Sequence, residues 1–393
     1  MVNYVTSPSP RPADADARPK RRKAPLWTKL SIAVGALLLL ASGGTLVTAK
    51  MLIARYTSVV HQTKLLPAKA AASNDGSLPS GPLNILLVGL DTRVTTKDDP
   101  SRSDTIMIVH ISDDHRGAYL VSIPRDLYVQ IPASAHYNAG FSRINAAFAW
   151  GSTGLTGDAA TAGGAGLLSK TITANFGIKF DAVAVINFEG FRKAVQVLGG
   201  VYMCVDEDAN SQLRGTNRYT GKFESPYYPG GEVLNPNVIA VHYKKGCRTM
   251  SPTDALDYIR IRHGLPDIDY GRQRHQQQFI RAVLKEATKK GMISSPTKLD
   301  QVIRAIGGSL VFDGNGISII DWMWALKNIS PSEMTMLKTA GTGRYSGSTY
   351  LGEQLLPDGT AVLAAVKNNT LDEFALAHPD QISTDGAPPA SGP

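Results

Sequence analysis

The chain has 393 residues, with 41 Lys and Arg against 33 Asp and Glu, and therefore a formal net charge of +8. Such an excess would favour a nucleic-acid partner, but residues 1–80 hold 11 basic and 3 acidic side chains while residues 81–393 hold 30 of each. The excess therefore belongs to the N-terminal segment. With 43% hydrophobic and 19% charged residues, the rest of the chain can bury a sizeable core, which excludes disordered, collagen-like and coiled-coil classes.

A membrane explains the basic excess better than a nucleic acid does. Basic residues crowd positions 18–29, and residues 30–49 follow as twenty positions without a charge, the length that crosses ~30 Å of hydrocarbon as a helix. Basic residues are sparser after this run, so the positive-inside rule places the N-terminus in the cytoplasm. We predict a disordered cytoplasmic tail at 1–29, a transmembrane signal anchor at 30–49, and a cell-membrane protein with an extracellular body. A cleaved signal peptide ending near residue 49 is the alternative.

Two cysteines, Cys204 and Cys247, are the only ones in the chain, and both lie in the outward part. An even count in an oxidising compartment favours a disulfide between them, and two buried free thiols are the alternative. Two cysteines with scattered histidines do not supply a four-ligand zinc site.

The remaining elements follow in chain order. Residues 50–81 are predicted to be a short helical stem and a polar linker. Strands are predicted at 83–90, 105–111, 118–123, 183–187, 201–205 and 334–338, and helices at 143–150, 166–176, 188–198, 255–261, 271–290, 298–306 and 317–326. A Gly-rich loop precedes residue 166, and residues 206–248 are predicted to be loop-like. The order predicts one α/β domain over residues 82–377, a mixed sheet flanked by helices, with a disordered tail at 378–393.

Charged residues gather at the predicted strand ends. Six of them flank the first three strands, namely Asp91, Arg93, Arg102, Asp104, Arg125 and Asp126. Ligands of open α/β folds bind outside the carboxyl ends of the strands. A P-loop, a Gly-x-Ser-x-Gly elbow and a His-Glu-x-x-His zinc helix are missing from the sequence. A single Asp and Arg pair of this kind is more often a surface ion pair than part of a site. The hypothesis of a site therefore depends on the number of such pairs at strand ends.

A second group of polar residues comes about 130 positions later. It consists of Arg260, Arg262, Arg272 and Gln276. Arg272 and Gln276 are four apart and share one face of a helix. Arginine offers forked donors to phosphate oxygens, and aspartate oxygens suit Mg²⁺ that bridges to phosphate. The two groups together predict a site for a polyanion with a hard divalent metal.

These residues stand in motifs that occur in a fixed order. The motifs are NILLVGLDTR at 84–93, RSDT at 102–105, SIPRD at 122–126, RINAA at 143–147, ALDYIRIR at 255–262, DYGR at 269–272 and QQ at 276–277. In this order the chain resembles the LytR-CpsA-Psr family of cell-wall glycopolymer transferases, over roughly residues 82–290. A single signal-anchor helix before the domain is also typical of that family.

The resemblance implies a reaction at the outer membrane face. A glycopolymer passes from a polyprenyl diphosphate carrier to a peptidoglycan hydroxyl through a phosphodiester, with Mg²⁺ as cofactor and without nucleic acid. Asp91 and Asp104 would bind the metal and, with Arg125, form the catalytic set. The diphosphate oxygens would be held by Arg93, Arg102, Arg125, Arg260, Arg262, Arg272 and Gln276. Phosphoryl transfer asks a protein chiefly for positioning and charge stabilisation, which these groups can provide.

The resemblance also implies a hydrophobic tunnel for the polyprenyl tail. Five phenylalanines are candidates for its lining, although each also suits an ordinary core: Phe141, Phe148, Phe176, Phe188 and Phe191. The sequence departs from the family at His275, where an arginine often precedes the glutamine pair, and Arg274 lies one position earlier. A second cationic contact on that helix is therefore in doubt.

Three other functions compete with the transferase. A diphosphatase would use the same residues with water as the acceptor. A wall-binding or scaffold protein would use the pocket only to retain lipid. A membrane-bound transcription attenuator is disfavoured, because the folded body faces away from DNA and is electrically neutral.

Overall fold

The computed structural model of the chain describes residues 61–68, 80–91, 102–228, 233–292 and 295–383. Its strands are β1 His61–Gln62, β2 Leu83–Leu90, β3 Ser103–Ile111, β4 Ala118–Ser122, β5 Tyr128–Ile131, β6 Gly140–Arg143, β7 Ala182–Asn187, β8 Val201–Val205, β9 Ala209–Asn217, β10 Phe223–Glu224, β11 Val238–Tyr243, β12 Gly246–Met250, β13 Leu310–Asp313, β14 Met334–Leu337, β15 Gly341–Ser346, β16 Thr349–Leu355 and β17 Ile382–Ser383. Its α-helices are α1 Asn145–Ser152, α2 Gly157–Phe176, α3 Phe188–Val197, α4 Pro252–Tyr258, α5 Asp269–Lys289, α6 Pro296–Ile306, α7 Ile319–Ala325, α8 Pro357–Asn368 and α9 Leu371–Ala377.

An eight-stranded mixed sheet organises the domain, in the order β1-β13-β7-β2-β3-β4-β14-β17. β2 runs parallel to β7 and antiparallel to β3, and β3 runs antiparallel to β4. The carboxyl ends of β2, β4 and β7 therefore share one edge with the start of β3. The predicted mixed α/β sheet with flanking helices is confirmed.

Two apolar layers cover the sheet. The core on one face includes Phe148, Leu168 and Val362 from α1, α2 and α8, and the core on the other face includes Ile303 and Trp322 from α6 and α7. Buried strands such as β4, whose five residues are all buried, need apolar side chains in both directions. This is why β2, β3, β4 and β7 could be located within two residues from hydrophobic pattern alone.

The Gly-rich run before residue 166 was predicted to be a loop, and this prediction is wrong: α2 begins at Gly157. A Cβ at Gly151 of α1 would lie 2.2 Å from the Gly163 carbonyl oxygen of α2. The glycines are therefore required because the two helices cross at close range. The helix ends at Gly177, whose φ of 72° provides a left-handed C-cap.

Two boundaries also differ from the prediction. β1 was placed in the stem at 50–81, yet it pairs with β13, and the backbone N–H groups of Leu65 and Leu66 donate to the Asp313 carboxylate. At the other end, β17 lies in the tail predicted to be disordered, yet it pairs with β14. The sheet therefore extends beyond residues 82–377 on both sides, and residues 384–393 lie outside the described residues.

Residues 206–248, predicted to be loop-like, form regular structure instead. β9, β10 and β11 make a three-stranded antiparallel sheet, and β12 pairs with β8 with Cys247 directly opposite Cys204. The two cysteines form a disulfide, as predicted. The loop interpretation failed because one face of this small sheet is exposed, so its strands lack a continuous apolar run.

In the part of the chain that the structure describes, no helix has both the length and the apolar character needed to cross a membrane. The predicted anchor at 30–49 and the cytoplasmic tail at 1–29 lie outside the described residues.

Candidate active site

A cavity of about 370 Å³ lies between the central sheet and helices α3 and α5. Its walls are mainly apolar, and its lining includes Leu87, Met107, Ala184, Phe188, Phe191, Phe279, Ile280 and Leu310. Charged side chains also line it, namely Asp91, Asp104, Arg125, Arg260, Arg262 and Arg272. The cavity is therefore amphipathic, suited to a ligand with an apolar body and an anionic group.

The sheet edge supplies the first acidic group. Asp91 follows β2, and Arg260, which follows α4, donates to it at 3.3 Å from Nη2 to Oδ2. The Arg260 guanidinium also lies 4.2 Å above the centre of the Phe188 ring, a cation–π contact that fixes its plane. The side chains of Asp91 and Arg260 retain 18% and 27% of their exposure, so the pair stays accessible to a ligand.

A second chain of charges runs from the start of β3 to the first turn of α5. Arg125 donates to Asp104 at 2.6 Å and lies 3.6 Å from Asp269. Asp269 in turn lies 3.3 Å from Arg272, three residues further along α5. Two guanidinium groups thus share one carboxylate beside the cavity.

Within this chain of charges, Arg272 is the group whose electrostatics favour an additional anion. Burial opposes the charge on Arg125, but Asp104, Asp269 and Asp126 outweigh it and raise the pKa of Arg125. Burial lowers the pKa of Arg272 from 12.5 to about 10, only partly offset by Asp269. Buried Nε atoms of Arg125 and Arg272 have no hydrogen-bond partner. Unsatisfied buried donors are costly, so an anion that accepts from both would remove a defect of the ligand-free site.

The two neighbouring glutamines of α5 point in different directions, one into the cavity and one toward the sheet. Gln276 lines the cavity. Gln277 points into the sheet, where its Nε2 donates to the carbonyl oxygens of Leu120 and Leu337 and to the Ser122 hydroxyl. Gln276 is thus available to a ligand, and Gln277 fixes α5 against β4 and β14.

The two residues before the glutamine pair, Arg274 and His275, face away from the cavity. Arg274 donates to Asp206 at 2.6 Å and also bonds Glu207 and Asp267. His275 is fully buried, with Nε2 3.1 Å from Asp206. The departure from the family pattern at these positions therefore leaves no extra cation at the cavity, and the cluster ties α5 to the segment after β8.

Asp91 and Asp104 are the two residues that were predicted to hold a metal ion. Asp91 and Asp104 both line the cavity, and each has an arginine partner and an accessible carboxylate. Hard oxygen donors beside a phosphate-binding surface are the environment Mg²⁺ prefers, so the residues fit the ion. Within the described ranges, one group of three potential ligands comes close together, Asp206, Glu207 and His275, and Arg274 already neutralises it.

Most of the predicted site residues come together at this cavity, and some do not. Those that line it are Asp91, Asp104, Arg125, Arg260, Arg262, Arg272 and Gln276. Arg102 is exposed and does not line it, and Arg93 lies outside the described residues. Of the five phenylalanines, Phe188 and Phe191 line the cavity. Phe148 and Phe176 pack with the core on the other sheet face, and Phe141 is 61% exposed.

Three acidic groups around Arg125 had no predicted role. Asp126 lies 3.6 Å from Arg125. Glu353 of β16 accepts from the Tyr270 hydroxyl at 2.6 Å, and burial, with repulsion from Asp269 and Asp126, raises its pKa. The sequence singled out Asp126 by its strand-end position and Asp269 by its motif, but assigned neither of them a role. Glu353 could have been found only through the hairpin signal around Gly347, which has a φ of 58°.

Fold and site together define an α/β domain with an amphipathic, arginine-rimmed cavity, and comparison with known proteins assigns it to a family. The chain belongs to the LytR_cpsA_psr family, whose model matches residues 50–360. It is 29% identical over 301 residues to the polyisoprenyl-teichoic acid–peptidoglycan teichoic acid transferase TagU of Oceanobacillus iheyensis, covering 75% of this chain and 78% of TagU. It is 26% identical over 305 residues to the cell wall biosynthesis protein LcpA of Corynebacterium glutamicum, covering 70% of this chain and 54% of LcpA.

The chain thus spans about half of LcpA and over three quarters of TagU. A third relative, the regulatory protein MsrR of Staphylococcus aureus, is 28% identical over 226 residues, which is 57% of this chain and 55% of MsrR.

Solved structures share the fold. Protein gbs0355 of Streptococcus agalactiae aligns with a TM-score of 0.55 at 21% identity, over 75% of this chain and 88% of its own. A structure of TagT bound to LIIa-WTA aligns with a TM-score of 0.54 at 22% identity, over 80% of this chain and 99% of its own. At this identity the likeness establishes the fold alone.

Proposed function

We propose that this protein is a cell-wall glycopolymer transferase that moves a glycan from a polyprenyl diphosphate carrier to peptidoglycan through a phosphodiester bond. The observation that carries the proposal is a cavity that combines apolar walls with a cluster of arginine and aspartate side chains. An apolar wall that includes Phe188, Phe191 and Phe279 would hold the prenyl tail, and the arginines at the sheet edge would hold the diphosphate. Family membership and the name of the relative TagU support the same reaction class.

Several arginines would together stabilise the negative charge of the diphosphate. Arg125 and Arg272 have buried donors without partners, and these would donate to the diphosphate oxygens. Arg260, Arg262 and Gln276, which also line the cavity, would help to orient the phosphate. Fixed guanidinium groups stabilise charge as it develops on the transferred phosphorus, at no reorganisation cost during the reaction.

Asp91 and Asp104 are the residues that would hold Mg²⁺. Bound there, the ion would neutralise diphosphate charge and favour departure of the prenyl phosphate. Each carboxylate is already held by an arginine, at 3.3 Å for Asp91 and 2.6 Å for Asp104. Their orientation is therefore set before a metal binds, as in other sites with hydrogen-bonded ligands.

The proposed transfer is a single displacement. The acceptor hydroxyl oxygen forms a bond to the phosphorus that carries the glycan, the bond from that phosphorus to the bridging oxygen breaks, and prenyl monophosphate leaves with the electron pair. The hydroxyl proton passes, directly or through water, to an oxygen of the departing prenyl phosphate as the new ester forms. The chain supplies alignment and charge, and no covalent enzyme intermediate is required.

We also propose that the protein is a single-pass membrane protein, with the segment at 30–49 as anchor and the domain outside the cell. The charge asymmetry of the sequence supports this topology. A diphosphatase is the second candidate, because the same residues would serve if water replaced the acceptor.

The function can be tested with the full chain in detergent or nanodiscs, given a lipid-linked oligosaccharide, peptidoglycan fragments and Mg²⁺. A coupled product containing one phosphate per junction is expected, and its loss in Asp91→Ala and Arg125→Ala. Free phosphorylated sugar with no coupled product would assign the diphosphatase. Coupling that survives in both variants would refute the proposed site. Lys285→Ala, at an exposed position of α5, is the matched control that should retain activity.

A further inference from the structure

The small sheet β10-β9-β11 carries an exposed apolar face. Phe223 of β10 lies directly opposite Thr216 of β9, which lies directly opposite Ile239 of β11. Residues directly opposite in an antiparallel sheet project to the same side. Phe223 is 77% exposed and Ile239 is 59% exposed, while Val238, next to Ile239 in the strand, is buried. One face of this sheet is thus apolar and open to its surroundings.

Exposed apolar side chains concentrate in this part of the molecule. Of the 17 exposed large hydrophobic residues in the described part of the chain, seven lie between residues 213 and 239. They are Leu213, Tyr219, Phe223, Tyr228, Val233, Leu234 and Ile239. A clustered apolar surface of this kind marks an interaction site, whereas scattered exposed residues do not.

The same segment is basic although the body of the chain is neutral. Residues 209–250 contain six Lys and Arg and two Asp and Glu, against 30 of each over residues 81–393. Arg218 and Lys222 are exposed and flank Tyr219 in the turn between β9 and β10. Apolar and aromatic side chains combined with basic ones are the composition of surfaces that lie at an anionic lipid interface.

The apolar face is continuous with the cavity of the candidate active site. Leu213 of β9, 44% exposed, lines that cavity together with Gln212. Leu213 also lines a shallow surface depression together with Phe223. Contact with the membrane at this face would therefore place one wall of the cavity beside the lipid.

We propose that the outer face of β9, β10 and β11, with Phe223 and Ile239 at its centre, docks on an anionic lipid membrane. The apolar side chains would enter the boundary between headgroups and acyl chains, and Arg218 and Lys222 would contact lipid phosphates. The purpose of this contact rests on the proposed function, since it lets a prenyl tail pass between bilayer and cavity without crossing water.

The test uses the full chain in nanodiscs of phosphatidylcholine with or without phosphatidylglycerol. An environment-sensitive fluorophore is attached at Ile239→Cys and, as control, at Leu376→Cys. Leu376 is 85% exposed and lies on α9, whose Leu371 and Phe374 belong to the core on the other sheet face. The native cysteines form a disulfide, so the introduced thiol is the one labelled. Lipids with a quencher on the acyl chain should quench the Ile239 probe about threefold more than the Leu376 probe, and more so with the anionic lipid.

Two further measurements make the outcome decisive. Arg218→Glu with Lys222→Glu should remove the dependence on anionic lipid, because the charges at the interface are reversed. Equal quenching at the two probes would overturn the proposal. Protection of the Ile239 probe in lipid-free detergent that grows with protein concentration would assign the face to a second copy of the chain, and would also overturn it.

The measurement needs neither glycan donor nor acceptor. Quenching with no coupled product would leave the docking face standing and count against the transferase. Coupled product with no quenching would support the transferase and count against the docking face.

Discussion

Arg272 should be unfavourable for stability and necessary for ligand binding. Its side chain is 6% exposed, its Nε has no partner, and its ion pair is to Asp269 at 3.3 Å. Burial lowers its pKa from 12.5 to about 10, which corresponds to a penalty of about 3 kcal/mol for the charged form at neutral pH. Replacing Arg272 with Met keeps the volume of the stem and removes the buried charge.

The lowered pKa of Arg272 already includes the attraction of Asp269. Relaxation and water penetration around a buried charge make the effective penalty smaller than this value, so we expect a gain of about half of it. Arg272→Met should therefore raise the free energy of unfolding by about 1–2 kcal/mol, or Tm by about 2–3 °C for a domain of about 300 residues. It should also abolish the thermal stabilisation that a prenyl diphosphate gives the wild type.

Thermal unfolding of the full chain in detergent measures both effects, with and without geranylgeranyl diphosphate. Lys285→Met on the same helix is the control, since this position is exposed, and it should change neither value. A fall in Tm of several degrees for Arg272→Met without ligand would refute the reasoning, because the guanidinium would then be satisfied by the protein itself.

Three further predictions concern stability and binding. Replacing Cys204 and Cys247 with Ser removes a disulfide between residues that are 43 apart in sequence. This should lower the free energy of unfolding by about 4 kcal/mol in the chain-entropy model. Chemical denaturation with no shift in midpoint would contradict this expectation. Burial lowers the pKa of His110 from 6.5 to about 4, so the unfolded chain takes up this proton first as pH falls. About 3 kcal/mol of stability should be lost between pH 6.5 and pH 4, and a His110→Gln variant whose stability falls in parallel with the wild type would rule this out. Gln277→Leu removes the side-chain donor to two strand carbonyls and should lower the free energy of unfolding by about 2 kcal/mol in chemical denaturation. Gln276→Leu should weaken prenyl diphosphate binding and leave stability unchanged. The reverse pattern would show that the two roles are exchanged.

The sequence predicted the central strands because their hydrophobic runs have no alternative location. β2 has the predicted bounds at 83–90, and β4 was predicted one residue too long, at 118–123. Glycine was misleading where it served packing, since Gly151 and Gly163 allow two helices to approach. β9 and β11 were missed because a half-exposed small sheet has no continuous apolar pattern, and β1 was missed because its partner strand lies about 250 residues away.

The site was predictable as a set of residue types and not as a network. Strand-end position and motif order indicated Asp91, Asp104 and Arg125. That Asp269 is shared by Arg125 and Arg272 depends on how α5 packs against the sheet edge, and no local pattern encodes it. For the same reason the sequence left open which side Arg274 faces.

The central claim is that a prenyl diphosphate lies with its tail in the apolar cavity and its diphosphate among the arginines. The most direct measurement is photocrosslinking of the full chain with a polyprenyl diphosphate that carries a diazirine near the start of its tail, followed by peptide mapping. Labelling is expected on the peptides that contain Phe188, Phe191 and Phe279, with competition by unlabelled prenyl diphosphate and a strong decrease in Arg125→Ala. Labelling confined to peptides outside the cavity, or unchanged by Arg125→Ala, would contradict the account.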